Sequence, residues 1–355
     1  MKLRAPQKAW TRALGVAVLG GAMVALFVWR GPSWTAVGDA FAAVQWEWVA
    51  AAIGFNLLSV LVRAFAWQTV IWQAIPPPRP RFPLVFSAFS VGLFANAVLP
   101  GRIGELARVA VLNRKMPGRP GAWATLVGTV FGHRVFDLVP VMLLIGYVLL
   151  TAKIPHWAIT SLGIFVAVGI ALFAFALASA RRHHRHVDLE LLGPVRRLVA
   201  MARQGLGVLR APAAALLAIS FQCLGWLLQL LAVYTAMRAF GIHAPLAAAG
   251  LVLLLMNVAT IFPLWPGNVG LVQAAIALPL LSYGVSYGRG VAYGIGLQAI
   301  EASVGVGVGL LFLAREGLSY TMLKVMPDAA QAEPANAEPE PLEEDEAGAR
   351  ARVPG

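Results

Sequence analysis

Three carboxylates, Glu105, Asp137 and Glu301, lie within stretches otherwise apolar enough for hydrocarbon, and four arginines, Arg63, Arg102, Arg108 and Arg134, share those stretches. A charge at the centre of a membrane helix costs roughly 2.5–3.5 kcal/mol on insertion scales, so each of these groups needs a partner or a water-filled cavity. Spacing supplies two partnerships. Glu105 with Arg108 and Arg134 with Asp137 are three residues apart, neighbours on a helix. Arg63 stands too far from either end of its apolar run to reach water, and so requires an anion. Such pairs can simply fix helix packing. Arginine also grips phosphate through a planar fork, and a helix start just after a backbone break offers free N–H groups to an anion. The chemistry expected is therefore binding of an anionic headgroup, a phospholipid or polyprenyl phosphate, by Arg63, Asn96, Arg102, Glu105, Arg108, Arg134, Asp137, Asn268 and Glu301.

Two broken helices are expected to position these groups. Pro100, Gly101 and Gly104 interrupt one apolar interval, Phe82–Leu112; Pro263, Pro266, Gly267 and Gly270 interrupt another, Ala244–Tyr283. Proline removes a helix hydrogen bond and glycine relaxes the chain, leaving polar backbone that hydrocarbon cannot satisfy. The remaining runs, Ala13–Trp29, Trp48–Ile75, Ala122–Leu150, Trp157–Ala180, Ala213–Phe240 and Gly290–Ala314, are each long enough for a full span of about 20 residues. Arg79, Arg81, Arg114, Lys115 and Arg119 flank the first interrupted interval on both sides, which places both its ends in the cytoplasm. The second interval has connections poor in basic residues, and so enters and leaves from outside.

The expected architecture is an all-α polytopic membrane protein with about six full spans plus two re-entrant helical hairpins. They form an inverted repeat, residues 48–150 and 213–314, of the kind that secondary transporters use around a mid-membrane site. The competing topology makes each half-interval a short full span.

Composition agrees: 59% of the 355 residues are apolar and 12% charged, against about 25% charged in soluble domains. The net charge of +12 sits beside the spans; it reads as an orientation signal rather than a nucleic-acid surface. Residues 1–29 read as an uncleaved first helix. Residues 1–320 form the membrane domain, and 327–355, rich in Pro, Ala and Glu, a disordered acidic cytoplasmic tail. Arg181-Arg182-His183-His184-Arg185-His186 reads as a headgroup-facing cluster, since adjacent arginines repel a metal ion. No nucleophile elbow, phosphate loop or metal-ligand spacing is present, His133 lacks a nucleophile at suggestive spacing, and no cofactor or catalytic residue is expected. The one cysteine, Cys223, can form no internal disulfide.

Arg63 with Trp67, the block Asn96…Pro100-Gly101-Arg102-Ile103-Gly104-Glu105…Arg108, Arg134 with Asp137, and Pro266-Gly267-Asn268-Val269-Gly270 resemble the lysylphosphatidylglycerol synthase transmembrane-domain family, the flippase-like membrane proteins. The resemblance runs over about residues 10–320. It implies a bacterial inner-membrane protein with both termini cytoplasmic that moves a lipid between leaflets, its partners being membrane lipids and, in some members, a lipid- or glycan-modifying enzyme. Hopanoid and polyprenyl-linked lipids are further substrates it implies. Gln273 stands where family members often carry Glu, and His133 in a neighbourhood often acidic or aromatic. The longest polar pieces, 181–210 and the tail, are too short for an aminoacyl-transferase domain. A scaffold for a synthase and a small-solute carrier are the alternative functions.

Overall fold

The computed structural model describes residues 33–98, 103–116, 122–154, 156–181, 211–261 and 268–315. They form ten α-helices: α1 (Trp34–Ala42), α2 (Trp46–Ala74), α3 (Phe82–Val98), α4 (Gly104–Arg114), α5 (Ala122–Thr151), α6 (His156–Arg181), α7 (Pro212–Ala239), α8 (Leu246–Ala259), α9 (Leu271–Leu280) and α10 (Tyr287–Arg315). Among the described residues there is no strand. The expectations for the first span, the 182–210 loop and the acidic tail fall outside these residues.

Four helices, α2, α5, α7 and α10, are long and apolar enough to cross a bilayer. Each coincides within a few residues with an expected span. The run 157–180 is also helical, as α6. Unexpected was α1, whose nine residues lie in the connection between the first two expected spans. It is too short to span and packs on the start of α10: a Cβ added to Gly288 would lie 3.1 Å from that of Ala36. Its Phe41 meets Phe240 edge-on at 5.4 Å.

The interrupted intervals are two pairs of short helices. Helix α3 has 17 residues and α4 has 11; α8 has 14 and α9 has 10. At 1.5 Å per residue, α4 and α9 reach only about 15 Å, half the hydrocarbon thickness. Within the first pair the chains approach unusually closely. A Cβ on Gly104 would sit 2.1 Å from the Gly92 carbonyl oxygen and 2.6 Å from the Asn96 side chain. That space lets the Gly104 N–H donate to Asn96 Oδ1 at 2.9 Å, satisfying one free donor at the start of α4.

The second pair is closed differently. Asn268, at φ 43°, donates from Nδ2 to the Ala259 carbonyl at 2.9 Å, tying down the end of α8. The Gly270 N–H donates to Gln273 Oε1 at 2.6 Å at the start of α9, where Gly270 takes φ 91°. A residue with a side chain would be strained there.

Helices α2 and α7 form the largest contact among the described residues. They run antiparallel: Gln45 N–H, just before α2, donates to Ala239 O at the end of α7, and Ser59 Oγ donates to Gly225 O midway along. Around them, α3 packs on α10 and α8 on α5, α4 on α5 and α9 on α10. One hydrophobic cluster gathers α2, α3, α4, the first half of α5 and the last half of α10. The other gathers α7, α8, α9, the first half of α10 and the last half of α5. Each contact in one half of the chain thus has a counterpart in the other.

Candidate functional site

The two clusters leave a cavity of about 260 Å³ where α2, α3, α4, α5, α7, α8 and α10 meet. Its wall carries Arg63, Asn96, Glu105, Arg108, Arg134 and Glu301. The helices that present these groups are apolar elsewhere, so the charges face inward, where they find partners.

The two pairs expected from spacing are formed: Arg108 meets Glu105, and Arg134 Nη1 donates to Asp137 Oδ2 at 3.1 Å. The pairs are also linked to each other, because Arg134 reaches across to Glu105. Arg63, whose partner the sequence left open, donates from Nη2 to Asp137 Oδ1 at 3.2 Å. The result is one row of alternating charge, Arg108, Glu105, Arg134, Asp137, Arg63, with an arginine at each end. Three cations and two anions leave it electropositive.

Arg63 and Arg108 are held against aromatic rings that limit their hydration. The Arg108 guanidinium lies 4.6 Å from the Trp67 ring centroid and 5.4 Å from that of Phe89, and the residue is 4% exposed. Cation–π contacts of this kind contribute about 2 kcal/mol or more when desolvated. Arg63 crosses α7 at Gly225, where a Cβ would come within 2.6 Å of its Cγ, and its guanidinium lies 5.6 Å from the Trp226 ring. The Nε atoms of Arg63 and Arg108 are buried without a hydrogen-bond partner. Arg134, its side chain half exposed, is the most accessible cation of the row.

Asp137 is the hub. Its Oδ1 accepts from Arg63, from Gln222 Nε2 at 2.9 Å and from Trp226 Nε1 at 2.9 Å, and its Oδ2 accepts from Arg134. The Gln222 amide nitrogen also faces the His133 carbonyl at 3.3 Å and His133 Nε2 at 3.4 Å. Since carbonyl and carboxylate can only accept, this nitrogen is the NH₂ group, and His133 Nε2, which faces a donor, is assigned as the unprotonated ring nitrogen. The imidazole is 1% exposed and stands edge-on to Phe89 at 6.1 Å.

Glu301 lies across the cavity from this row, and its partner is uncharged: Gln229 Nε2 donates to Glu301 Oε1 at 2.8 Å. Among the described residues no arginine or lysine pairs with it. Asn96 lines the cavity while its Oδ1 serves Gly104. Asn268 and Gly270 do not line it; they shape the second pair of short helices, which Gln273 ties to Gln298 of α10 at 2.6 Å. Pro100, Gly101, Arg102, Pro263, Pro266 and Gly267 lie outside the described residues. Among the described residues no His, Cys, Asp and Glu cluster is suited to a metal ion.

The sequence reading did not single out Gln222, Trp226 and Gln229 of α7, or Asn56 and Ser59 of α2. A signal was there. Asn56, Ser59, Arg63 and Trp67 recur at three- and four-residue steps in one span, and Gln222, Trp226 and Gln229 do so in another. Polar residues on one face of an otherwise apolar helix mark its inward side.

Comparison with known proteins agrees with the resemblance noted from the motifs. The chain is 26% identical over 284 residues to a UPF0104 membrane protein of Methanothermobacter thermautotrophicus, covering 74% of this chain and 81% of that one. It is 24% identical over 202 residues to a UPF0104 membrane protein of Methanocaldococcus jannaschii, covering 55% and 82%. No solved structure matches. The family model described as the lysylphosphatidylglycerol synthase TM region matches residues 12–309, so this multi-pass membrane protein belongs to that family.

Proposed function

We propose that the protein moves a lipid with an anionic headgroup between membrane leaflets, without catalysing a covalent step. The observation that carries this reading is the electropositive row of Arg63, Glu105, Arg108, Arg134 and Asp137 around a cavity buried among apolar helices. At about 260 Å³ the cavity suits a headgroup rather than a whole lipid. Acyl chains would stay among the apolar helix faces, where Leu58, Leu143 and Leu311 are exposed. Arginine guanidinium groups suit phosphate oxygens, whose fork geometry they match, and Arg134, its side chain half exposed, is the most accessible of them.

The short helix pairs are read as re-entrant hairpins and the two halves as an inverted repeat. Ser59 and Gly225, bonded at the crossing of antiparallel α2 and α7, are 166 residues apart. That is also the separation of Gly101 from Gly267 in the two Pro-Gly motifs, and of Arg63 from Gln229. Equivalent positions thus meet on an axis that reverses one helix against its equivalent, the relation an inverted repeat requires. In this reading the membrane is the cell's inner membrane and both termini are cytoplasmic. Single cysteines at Arg79 and Lys115, in a Cys223→Ser background, should then both react with an impermeant reagent only from the cytoplasmic side. Labelling of either from outside would remove the first hairpin.

Binding is tested by mass spectrometry of lipids that co-purify with the protein. Enrichment of anionic phospholipid over the bulk membrane is expected in the wild type. In Arg63→Gln it should fall roughly tenfold, the loss of one charge-assisted contact of about 1.5–3 kcal/mol. Equal, unselective lipid in both would argue against a headgroup site.

A further inference from the structure

The three cavity carboxylates are treated differently by the fold. Glu105 and Asp137 each contact two arginines. Among the described residues Glu301 holds only the neutral amide of Gln229. The difference tracks the two halves of the chain: the position in α7 equivalent to Arg63 of α2 is Gln229, so the second half offers an amide where the first offers a guanidinium.

The groups around Glu301 can be enumerated. Across the cavity stand Arg63 of α2, Glu105 and Arg108 of α4, and His133 and Arg134 of α5. Asp137 is joined to Arg63 and Arg134. Helices α3, α8 and α9 contain no ionisable side chain. Those of α7, Cys223, Tyr234 and Arg238, do not line the cavity, nor does Glu47 of α2, Asp39 of α1 or Tyr293 of α10. With His133 accepting at Nε2, its imidazole is neutral. Among the described residues three arginines then face three carboxylates, and their charges balance with Glu301 ionised.

A phosphodiester entering such a site brings one surplus negative charge into a low-dielectric space, where an unbalanced charge is costly. One group can absorb it by taking a proton without breaking an ion pair. We infer that Glu301 takes up a proton when an anionic headgroup enters the cavity, so that lipid and proton occupy the site together. The proton passes from water to the Glu301 carboxylate as the headgroup binds, and returns to water when it leaves; no bond to the lipid changes. Resting on the transport reading above, the inference would let a proton gradient drive the lipid one way.

Purified protein in a weakly buffered detergent solution with a pH indicator decides the point, with dioleoyl-phosphatidylglycerol as the probe. Binding should take up about one proton per lipid, and linkage then requires affinity to fall roughly tenfold for each pH unit between the pH at which Glu301 of the lipid-free site ionises and the higher pH at which loaded Glu301 does. In Glu301→Gln the uptake should vanish and affinity lose its pH dependence; in Glu301→Asp, which keeps a carboxyl, uptake should return. Binding without proton uptake in the wild type, or unchanged uptake in Glu301→Gln, would overturn the inference while leaving lipid transport standing. Proton-linked binding with no lipid movement in vesicles would instead remove transport and leave the linkage established.

Discussion

Replacing Asp137 by alanine should cost the protein roughly 3–5 kcal/mol of stability, the range for removing one partner of a buried charge network. Its carboxylate accepts from Arg63, Arg134, Gln222 and Trp226. Without it, α2 and α7 each keep buried donors that nothing else nearby can satisfy. Arg134 retains Glu105, but among the described residues Arg63 has no other carboxylate in contact. The expected result is a sharp fall in detergent-extracted monodisperse protein and in its melting temperature. Asp137→Asn, which keeps acceptor oxygen and shape but not charge, should fall between the two. A melting temperature for Asp137→Ala within a degree or two of wild type would mean that the charge row is not what joins α2, α5 and α7.

Gly104→Ala should be nearly as damaging, for a steric reason. The added methyl would press on the Gly92 carbonyl oxygen at 2.1 Å and on the Asn96 side chain at 2.6 Å. One of these neighbours is backbone and cannot rotate away, so α3 and α4 would have to separate, breaking the Gly104–Asn96 hydrogen bond. Overpacking typically costs 1–3 kcal/mol, and backbone contact places this change at or above the upper end of that range. Gly54→Ala is the matched control. Nothing lies within 4 Å of its added Cβ, so the change should be neutral or mildly stabilising. Melting curves of the two variants side by side check this; equal tolerance would show that α3 and α4 do not need their close approach.

What could be read from the chain alone follows from the range of the interactions involved. Spans such as 122–150 were legible because hydrocarbon imposes a length on them, and the bounds of α5 depart by a residue. Glu105–Arg108 and Arg134–Asp137 were legible because their partners are three residues apart on one helix face. The link between those pairs, Arg134 to Glu105, joins two helices, and nothing local encodes it. The same holds for Arg63: the need for an anion could be inferred, its identity as Asp137 could not. Asn96 and Asn268 looked alike beside their motifs. Structure separates them, since Asn96 faces the cavity and Asn268 holds the end of α8. Helix α1 escaped notice because nine residues with a single buried position, Val37, carry too little periodicity to distinguish a surface helix from a loop.

The alternating row also explains why Arg63 is the informative residue for function. Without Arg63, Asp137 still accepts from Arg134, Gln222 and Trp226, which keeps α5 joined to α7, and α2 keeps its Ser59–Gly225 and Trp67–Thr129 hydrogen bonds to α7 and α5. What disappears is a cation at the end of the row and an unpartnered buried N–H. Loss of function in Arg63→Gln at normal abundance therefore reports on the ligand rather than on the fold.

The most direct measurement is transbilayer movement of fluorescent phosphatidylglycerol in vesicles reconstituted with wild-type protein, with Arg63→Gln, or with none. Fluorescence of the outer leaflet is destroyed by an impermeant reductant, so the slow phase of decay reports lipid crossing from within. The account predicts that wild-type protein accelerates that phase well above protein-free vesicles, and that Arg63→Gln, equally well folded, loses most of the acceleration. Wild-type vesicles indistinguishable from protein-free ones, or Arg63→Gln as fast as wild type, would contradict it.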